Sequence, residues 1–188
     1  MRYSLCLVTS LLVGFAPSFQ DPVPTPTPPP TVAKVQPSAK AEDVASIDAI
    51  VAALYAVISG PAGQQRDFDR MRSLFHPDAR LVPMLKGPTG MRTRVLTIDD
   101  YVLRSGPMLE RDGFFEQEIY RTVEQFGDFA HVWSTYEARR ALADAKPFMR
   151  GINSMQLVRQ DGRWHVLQIL WEQEVDAGPI PTKYLPTK

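Results

Sequence analysis

The chain is poor in the residues that build covalent or metal-bound sites. Its 188 residues include one cysteine, Cys6, and three histidines, His76, His131 and His165. Cys6 lies in the N-terminal apolar stretch, so the remainder must fold without disulfides or thiolate ligands. The histidines are far apart and lack carboxylates at ligand spacing, so we expect no metal site and no cofactor.

An excess of charge of either sign is also missing. Lysine and arginine total 21, against 21 aspartates and glutamates, so electrostatics favours neither nucleic acid nor an anionic membrane surface. The sequence contains no glycine-rich phosphate loop and no nucleophile elbow. We therefore predict no nucleic-acid partner.

A hydrophobic run long enough to cross a bilayer is absent too. The most apolar stretch, residues 4–16, has roughly a dozen residues, whereas a spanning helix needs about 20. Arg2 precedes it and small residues with proline follow near Ala16, which is the order of a cleavable signal peptide. We expect residues 1–18 to be such a peptide, with no stable membrane span and export to the periplasm or the exterior.

Proline is abundant, and much of it is concentrated in one segment. Residues 21–40 read DPVPTPTPPPTVAKVQPSAK, and proline at this density prevents helices and sheet ladders. The segment 19–41 is predicted to be a disordered spacer of polyproline II character. The folded domain is then expected to comprise residues 42–188.

Helical patterns open this domain. Apolar residues recur at helical spacing from Val44, and Thr97 with Asp100 resembles a capping box. Proline and glycine mark the expected ends. The predicted order is helix 44–58, helix 68–75, strand 79–85, loop 86–94 and a third helix from Thr97 to about Gly106.

Four strand-like segments follow, rich in aromatic and β-branched residues. They cover residues 114–126, 130–140, 148–159 and 164–174. Gly127-Asp128 and Asp161-Gly162 fall where hairpin turns are expected. Helices followed by an antiparallel meander predict an α+β domain with the helices on one face of the sheet.

Four motifs together resemble one family. They are LFHPDA at 74–79, FGDFAHVWS at 126–134, RGINS at 150–154 and DGRW at 161–164. In order and spacing the stretch 44–174 is similar to the SnoaL-like branch of the nuclear transport factor 2-like superfamily. The resemblance implies a cone-shaped, curved antiparallel sheet wrapping about three N-terminal helices, a pocket at the wide end, and frequently a homodimer through the outer sheet face.

The family includes ketosteroid isomerase, whose catalytic positions are not retained here. The resemblance places the base position near Pro83, the tyrosine position near Ala52 or Ala53, and the second acid at Asn153. Two of the three roles thus lack a suitable side chain, and Tyr55 lies close to the tyrosine position but in a different helical phase. We expect this chain not to catalyse that isomerisation.

The resemblance also sets a strand phase for the pocket. Because alternate residues share a face, the inward residues would be His131, Trp133, Thr135 and Glu137, then Asn153, Met155 and Leu157, then Leu167, Ile169 and Trp171. Tyr55 and Tyr101 would join them from the helices, while Tyr136, Gln156 and Gln168 would face outward. Lys86, Arg92 and Arg94 flank the expected mouth of the pocket. They either bind an anionic ligand there or are simply solvated loop residues.

Three functions stay open at this point. The first is binding of a small apolar or aromatic molecule, with Trp133 and Trp171 either stacking on it or filling the core. The second is an isomerase, cyclase or dehydratase with Glu137 as general base and Asn153 as oxyanion donor, unless Arg139 pairs with Glu137. The third is a dimeric interaction module that uses the outer face.

Overall fold

The secondary structure runs from helices through a hairpin and a long helix to four strands. The computed structural model describes residues 36–187, so the predicted signal peptide and residues 19–35 of the predicted spacer lie outside the described residues. The elements are α1 Ala41–Val44, α2 Ile47–Ile58, α3 Phe68–Leu74, β1 Phe75–Gly87, β2 Gly90–Thr93, α4 Ile98–Asp112, β3 Phe115–Phe126, β4 Phe129–Arg139, β5 Met149–Gln160, β6 Arg163–Gln173 and α5 Glu174–Ala177, with a 3-10 turn at Thr182–Tyr184.

The strands form one six-stranded sheet in the order β2-β1-β6-β5-β4-β3. The predicted α+β class is confirmed, but the expectation of a wholly antiparallel sheet is wrong. β1 lies parallel to β6, with Phe75 opposite Val166 and Pro83 opposite Trp171. Helix α4 carries the chain from the β1–β2 hairpin to β3 at the opposite edge, so the later meander ends with β6 beside β1, running in the same direction. Register shifts within three strand pairs bend the sheet.

Local signals in the sequence set most element boundaries. Ser46 has extended backbone angles and its hydroxyl accepts from the Ala49 amide, so the predicted first helix is divided into α1 and α2. The turns after β3 and β5 form as predicted, with positive φ at Gly127, Asp161 and Gly162. The four predicted strands match β3 to β6 within about one residue.

Two predictions between residues 86 and 112 are corrected. The predicted loop 86–94 contains β2, which pairs with the end of β1. The third helix does not stop near Gly106 but continues through Pro107 to Asp112. Proline at 107 removes the amide partner of the Leu103 carbonyl, and both residues lie on the exposed side of the helix.

The core lies between α2 and the concave face of the sheet. Ile50, Leu54 and Val57 of α2 are buried against that face, on which Val132 and Met155 are also fully covered. None of the described helices is long and apolar enough to cross a membrane. Helices α2 and α4 therefore pack on one side of the sheet and leave its wide end open.

The Thr97 capping box gives a test of how α4 is held. Thr97 Oγ1 accepts from the Asp100 amide at 3.1 Å, and Asp100 Oδ2 accepts from the Thr97 amide at 3.0 Å. Thr97→Ala removes the cap and should lower the free energy of unfolding by about 1 kcal/mol in urea titrations. Thr97→Ser keeps the hydroxyl and should stay within about 0.5 kcal/mol of the wild type; equal losses in both variants would contradict the capping role.

Candidate functional site

A cavity of about 350 Å³ opens at the wide end of the sheet. It is enclosed by α2, α3, α4, β1, the segment that follows β2, and the inner faces of β3 to β6. Most of its wall is apolar, and the main contributors include Leu54, Met71, Leu81, Leu96, Met108, Tyr136, Met149, Ile169 and Trp171. The polar side chains on the wall are Ser105, Asn153, Gln173, Glu116, Arg94 and Arg104, together with the hydroxyls of the tyrosines.

Six of the predicted ligand-site residues line this cavity. They are Tyr55, Tyr101, Asn153, Met155, Ile169 and Trp171. The rings of Tyr101 and Trp171 meet edge to face with centroids 6.3 Å apart, so the helix and the last strand together form an aromatic wall. The predicted inward phase is therefore correct for β5 and for the second half of β6.

The predicted inward phase is wrong for β4. His131, Trp133, Thr135 and Glu137 do not line the cavity, and the inward residues are instead the even-numbered ones, among them Ser134. Directly opposed residues of antiparallel strands share a face, and Asn153 lies opposite Ser134. A shift of one residue in this pairing exchanges the two faces of the strand.

The start of β6 shows a second error of phase. Leu167 was expected inside but is 36% exposed. Leu157 pairs with Val166 while Gln156 pairs with Gln168, so Leu167 is the additional residue of a β-bulge. Leu157 itself is buried as predicted.

The outer face of the sheet is partly covered by the C-terminal segment. The ring of Tyr184 lies 5.6 Å from that of Trp133, and Thr135 Oγ1 donates to the Tyr184 carbonyl at 2.7 Å. His131 Nε2 is 3.0 Å from Ser154 Oγ on the same face. Tyr136, predicted to face outward, is 1% exposed and lines the cavity. His131, Trp133 and Thr135 thus make their contacts on the outer face, and Tyr136 lies on the inner face instead.

Glu137 is engaged in an ion pair rather than in the cavity. Its carboxylate accepts from Arg139 Nη1 at 2.6 Å and from Gln117 Nε2 at 2.6 Å. Burial acts to raise the pKa of Glu137, but the hydrogen bonds from Arg139 and Gln117 outweigh it and hold the pKa below its ordinary value. The predicted role of Glu137 as a cavity base is therefore wrong, and the alternative of a pair with Arg139 is confirmed.

The carboxyl group that does face the cavity belongs to Glu116, which sequence reasoning missed. It lies on β3 opposite the fully buried Ala138, and Asn153 Nδ2 approaches Glu116 Oε1 at 3.4 Å. Burial raises the pKa of Glu116 from 4.5 to about 8, opposed by the hydrogen bond from Asn153. At neutral pH the side chain is mainly a neutral carboxylic acid, which can both donate and accept a hydrogen bond.

A chain of hydrogen bonds holds Asn153 in place beside Glu116. Asn153 Nδ2 donates to the Tyr55 hydroxyl at 3.1 Å, which lies 2.7 Å from the Ser134 hydroxyl. Ser134 in turn donates to Glu118 Oε2 at 2.7 Å, and Arg121 contacts the same carboxylate at 3.1 Å. Because the chain ends on a carboxylate, the proton of Tyr55 points to Ser134 and away from the cavity. Tyr55 thus positions Asn153.

Two of the three positions that the resemblance assigned to isomerase chemistry lie at the cavity, whereas Ala52 and Ala53 do not line it. Pro83 and Asn153 both line it, but neither carries an ionisable group. Glu116, at a different position, is the carboxylate among the residues that line it. Within residues 36–187 no cluster of three or more potential metal ligands is present.

Known structures share this fold at low sequence identity. A protein of unknown function with a cystatin-like fold from Nostoc punctiforme is 14% identical, with a TM-score of 0.51 over 68% of this chain and 87% of that chain. A putative calcium/calmodulin-dependent protein kinase II association domain from Xanthomonas campestris is 16% identical, with a TM-score of 0.50 over 68% and 84% of the two chains. An NTF-2-like protein of unknown function from Silicibacter pomeroyi is 17% identical, with a TM-score of 0.47 over 68% and 92%.

These likenesses define the class of fold. The chain shares the fold of the cystatin-like protein and of the association domain, which agrees with the α+β class predicted from the sequence. No protein-family profile matches the chain, and no curated protein does. Membership of the SnoaL-like branch stays a prediction, and a fold of this kind does not by itself define a function.

The raised pKa of Glu116 leads to a test by pH. The folded state binds the proton more tightly than the unfolded state, so this stabilisation is complete below about pH 4.5 and is lost as the pH rises through about 8. In the Glu116→Gln variant the side chain at position 116 is uncharged at every pH. Between pH 5 and pH 8 the wild type should lose a few kcal/mol of unfolding free energy relative to this variant, at about 1.4 kcal/mol per pH unit, in urea titrations.

The control for this experiment is Glu124→Gln, which changes an exposed carboxylate on the same strand. It should keep the pH dependence of the wild type. Parallel pH profiles for the wild type and Glu116→Gln would contradict the burial of an acid in the cavity.

Proposed function

We propose that this domain binds a small, largely apolar or aromatic molecule in the cavity. The observation that carries the proposal is one space of about 350 Å³ with a mainly apolar wall and a localised polar pair, Glu116 and Asn153. Binding sites for small molecules have this composition, because apolar burial provides affinity and a few polar groups fix the orientation. A second space of about 330 Å³ lies on the outer face, where the Glu174 carboxylate contacts Arg150 at 3.4 Å and accepts from the Ile180 amide at 3.0 Å.

The lining also indicates which ligand groups fit. Tyr101 and Trp171 present aromatic surface, which suits a planar or ring-containing body. A protonated Glu116 can donate to a carbonyl or hydroxyl oxygen, whereas the Nδ2 of Asn153 is engaged with Tyr55 and Glu116. The polar end of the ligand body is therefore expected to face Glu116.

Native mass spectrometry of the protein purified without added ligand tests this proposal. We expect a retained small molecule in the wild type and its loss in Ile169→Trp, because the larger side chain occupies the cavity. Gln168→Trp is the matched control, since the neighbouring Gln168 is exposed and lies on the other face of the sheet. It should keep the ligand.

Overpacking can cost 1–3 kcal/mol, so the fold of each variant is checked by circular dichroism. Met108→Trp, at the 38% exposed Met108 of the cavity wall, supplies a second occluding variant with less strain. Retention of the same ligand in both folded cavity variants would count against the cavity as its site. Absence of any ligand from the wild type, together with no binding of added aromatic probes, would overturn the proposal.

We further propose that the domain acts outside the cytoplasm, as the signal-like segment 1–18 predicts. The support comes from the sequence alone. The mass of the protein recovered from an exported fraction tests it, since cleavage removes about 18 residues. The same spectrum gives the oligomeric state, and a homodimer through the outer face stays a prediction, with Gln156 and Gln168 in the part of that face that remains exposed.

A second candidate function is an enzyme of the isomerase, cyclase or dehydratase kind. The observation that favours it is the carboxyl group of Glu116, whose pKa of about 8 suits a general acid or base near neutral pH. This role belonged to Glu137 in the sequence-based hypothesis. Oxyanion stabilisation would depend on Asn153, since the proton of Tyr55 is directed to Ser134.

Hydrogen exchange of an aromatic ketone tests this second candidate. With 1-tetralone in D₂O, Glu116 would accept a proton from the α-carbon, and the exchange followed by NMR should rise with pH to a midpoint near 8, because only the carboxylate is a base. Glu116→Gln should reduce the catalysed rate at least about a hundredfold. Glu137→Gln is the control and should leave the rate unchanged; exchange that survives in Glu116→Gln would exclude this base.

A further inference from the structure

Two arginines lie where the cavity meets solvent. Arg94 follows β2 and Arg104 lies in α4, and both side chains line the cavity while their residues are exposed. Glu116 and Asn153, by contrast, lie further from solvent. The polar groups of the cavity are thus separated into a neutral inner pair and a cationic outer pair.

Neither guanidinium has an acidic partner within 4 Å among the described residues, although acids are close in sequence. Asp99 is 2.8 Å from Arg72, and the carboxylate of Asp100 is bound in the capping box with Thr97. Asp112 pairs with Arg111 at 2.5 Å. Asp99 and Asp100, the two acids of α4 nearest to Arg104 in sequence, are therefore bound to other groups. The hydrogen bonds from Thr97 are the main cause that lowers the pKa of Asp100, and the charge of Arg104 adds to it.

The neighbouring arginine of the hairpin behaves differently. Arg92 Nη2 donates to Thr89 Oγ1 at 2.9 Å, and Arg92 does not line the cavity. Of the three basic residues predicted at the mouth, only Arg94 lies on the cavity wall, and Arg104 joins it from the other side. The segment after β2 and the helix that follows it thus each bring a positive charge to the same opening.

We propose that the ligand is an organic anion whose apolar body fills the cavity and whose negatively charged head, of the carboxylate or sulfonate kind, lies between Arg94 and Arg104. This inference rests on the proposed binding function. Guanidinium groups bind such oxygen anions with paired, charge-assisted hydrogen bonds. The partly exposed Leu85 and Met108 on the same wall would cover the part of the body nearest to the head.

The charge of the inner wall agrees with this orientation. Burial and the bond from Asn153 are what set the pKa of Glu116, and neither arginine contributes to it. Glu116 is therefore neutral at physiological pH and does not cancel the two positive charges. An anionic head at the inner end would face burial without a cation, which is unfavourable, so the head is expected at the mouth.

A matched pair of fluorescent probes tests the inference. 8-Anilinonaphthalene-1-sulfonate carries a sulfonate, and N-phenyl-1-naphthylamine is the same ring system without it. In fluorescence titrations we expect the wild type to bind the sulfonate more tightly than the neutral probe. Arg94→Gln/Arg104→Gln should weaken the sulfonate about tenfold, since exposed charge pairs contribute modestly, and should change the neutral probe by less than about twofold. Added 0.5 M NaCl should reduce the preference.

Arg92→Gln is the matched control, because it removes an arginine of the same hairpin that does not line the cavity. It should leave both affinities unchanged. Equal affinity of the wild type for the two probes, or equal losses in Arg92→Gln and the double variant, would overturn the inference. The proposed function is judged separately by the neutral probe: its binding to the wild type and its loss in Ile169→Trp support the cavity as a site, and no binding of either probe counts against both proposals.

Discussion

The hydroxyl of Tyr55 joins a helix to the sheet, and the arrangement of the cavity depends on it. It is contacted by Asn153 of β5 and Ser134 of β4, and α2 has no other hydroxyl within the cavity wall. A buried hydroxyl without partners is costly, so the bonds fix how α2 lies across the strands. The same bonds orient the amide of Asn153, which in turn approaches Glu116. Helix position and site chemistry are thus determined by one group.

The wall around that network explains why the site has both an acid and an apolar character. Tyr136, Met155 and Leu54 exclude water from the inner end, and the same exclusion makes the charged form of Glu116 unfavourable. Outside the cavity, Glu137 lies on β4 of the same sheet but has Arg139 beside it. Two glutamates on neighbouring strands therefore have opposite shifts of pKa because one faces inward and the other has a cation.

Much of the fold follows from local sequence, but the site does not. Turn glycines, the Thr97 cap and the aromatic strands were sufficient to predict the order of elements apart from β2 and the division of the first helix, since each depends on neighbours in sequence. The inward face of β4 depends instead on Ser134 lying opposite Asn153, a pairing fixed by the loop between the strands. Glu116 stands in the stretch FEQEIY, whose alternating acids are equally typical of a solvated strand. The burial of Glu116 becomes visible only in the structure, where it lies opposite the fully buried Ala138 on β4.

The parallel pairing of β1 with β6 has a consequence for how the chain reaches this structure. Phe75 lies opposite Val166, so the β1 side of the sheet stays open until almost the entire domain has been synthesised. Contacts between such distant segments form slowly, because a long loop must close before they contribute stability. The meander of β3 to β6 has only local hairpins and can form first. We therefore expect the N-terminal helices to lack a complete surface to pack on until β6 has paired with β1.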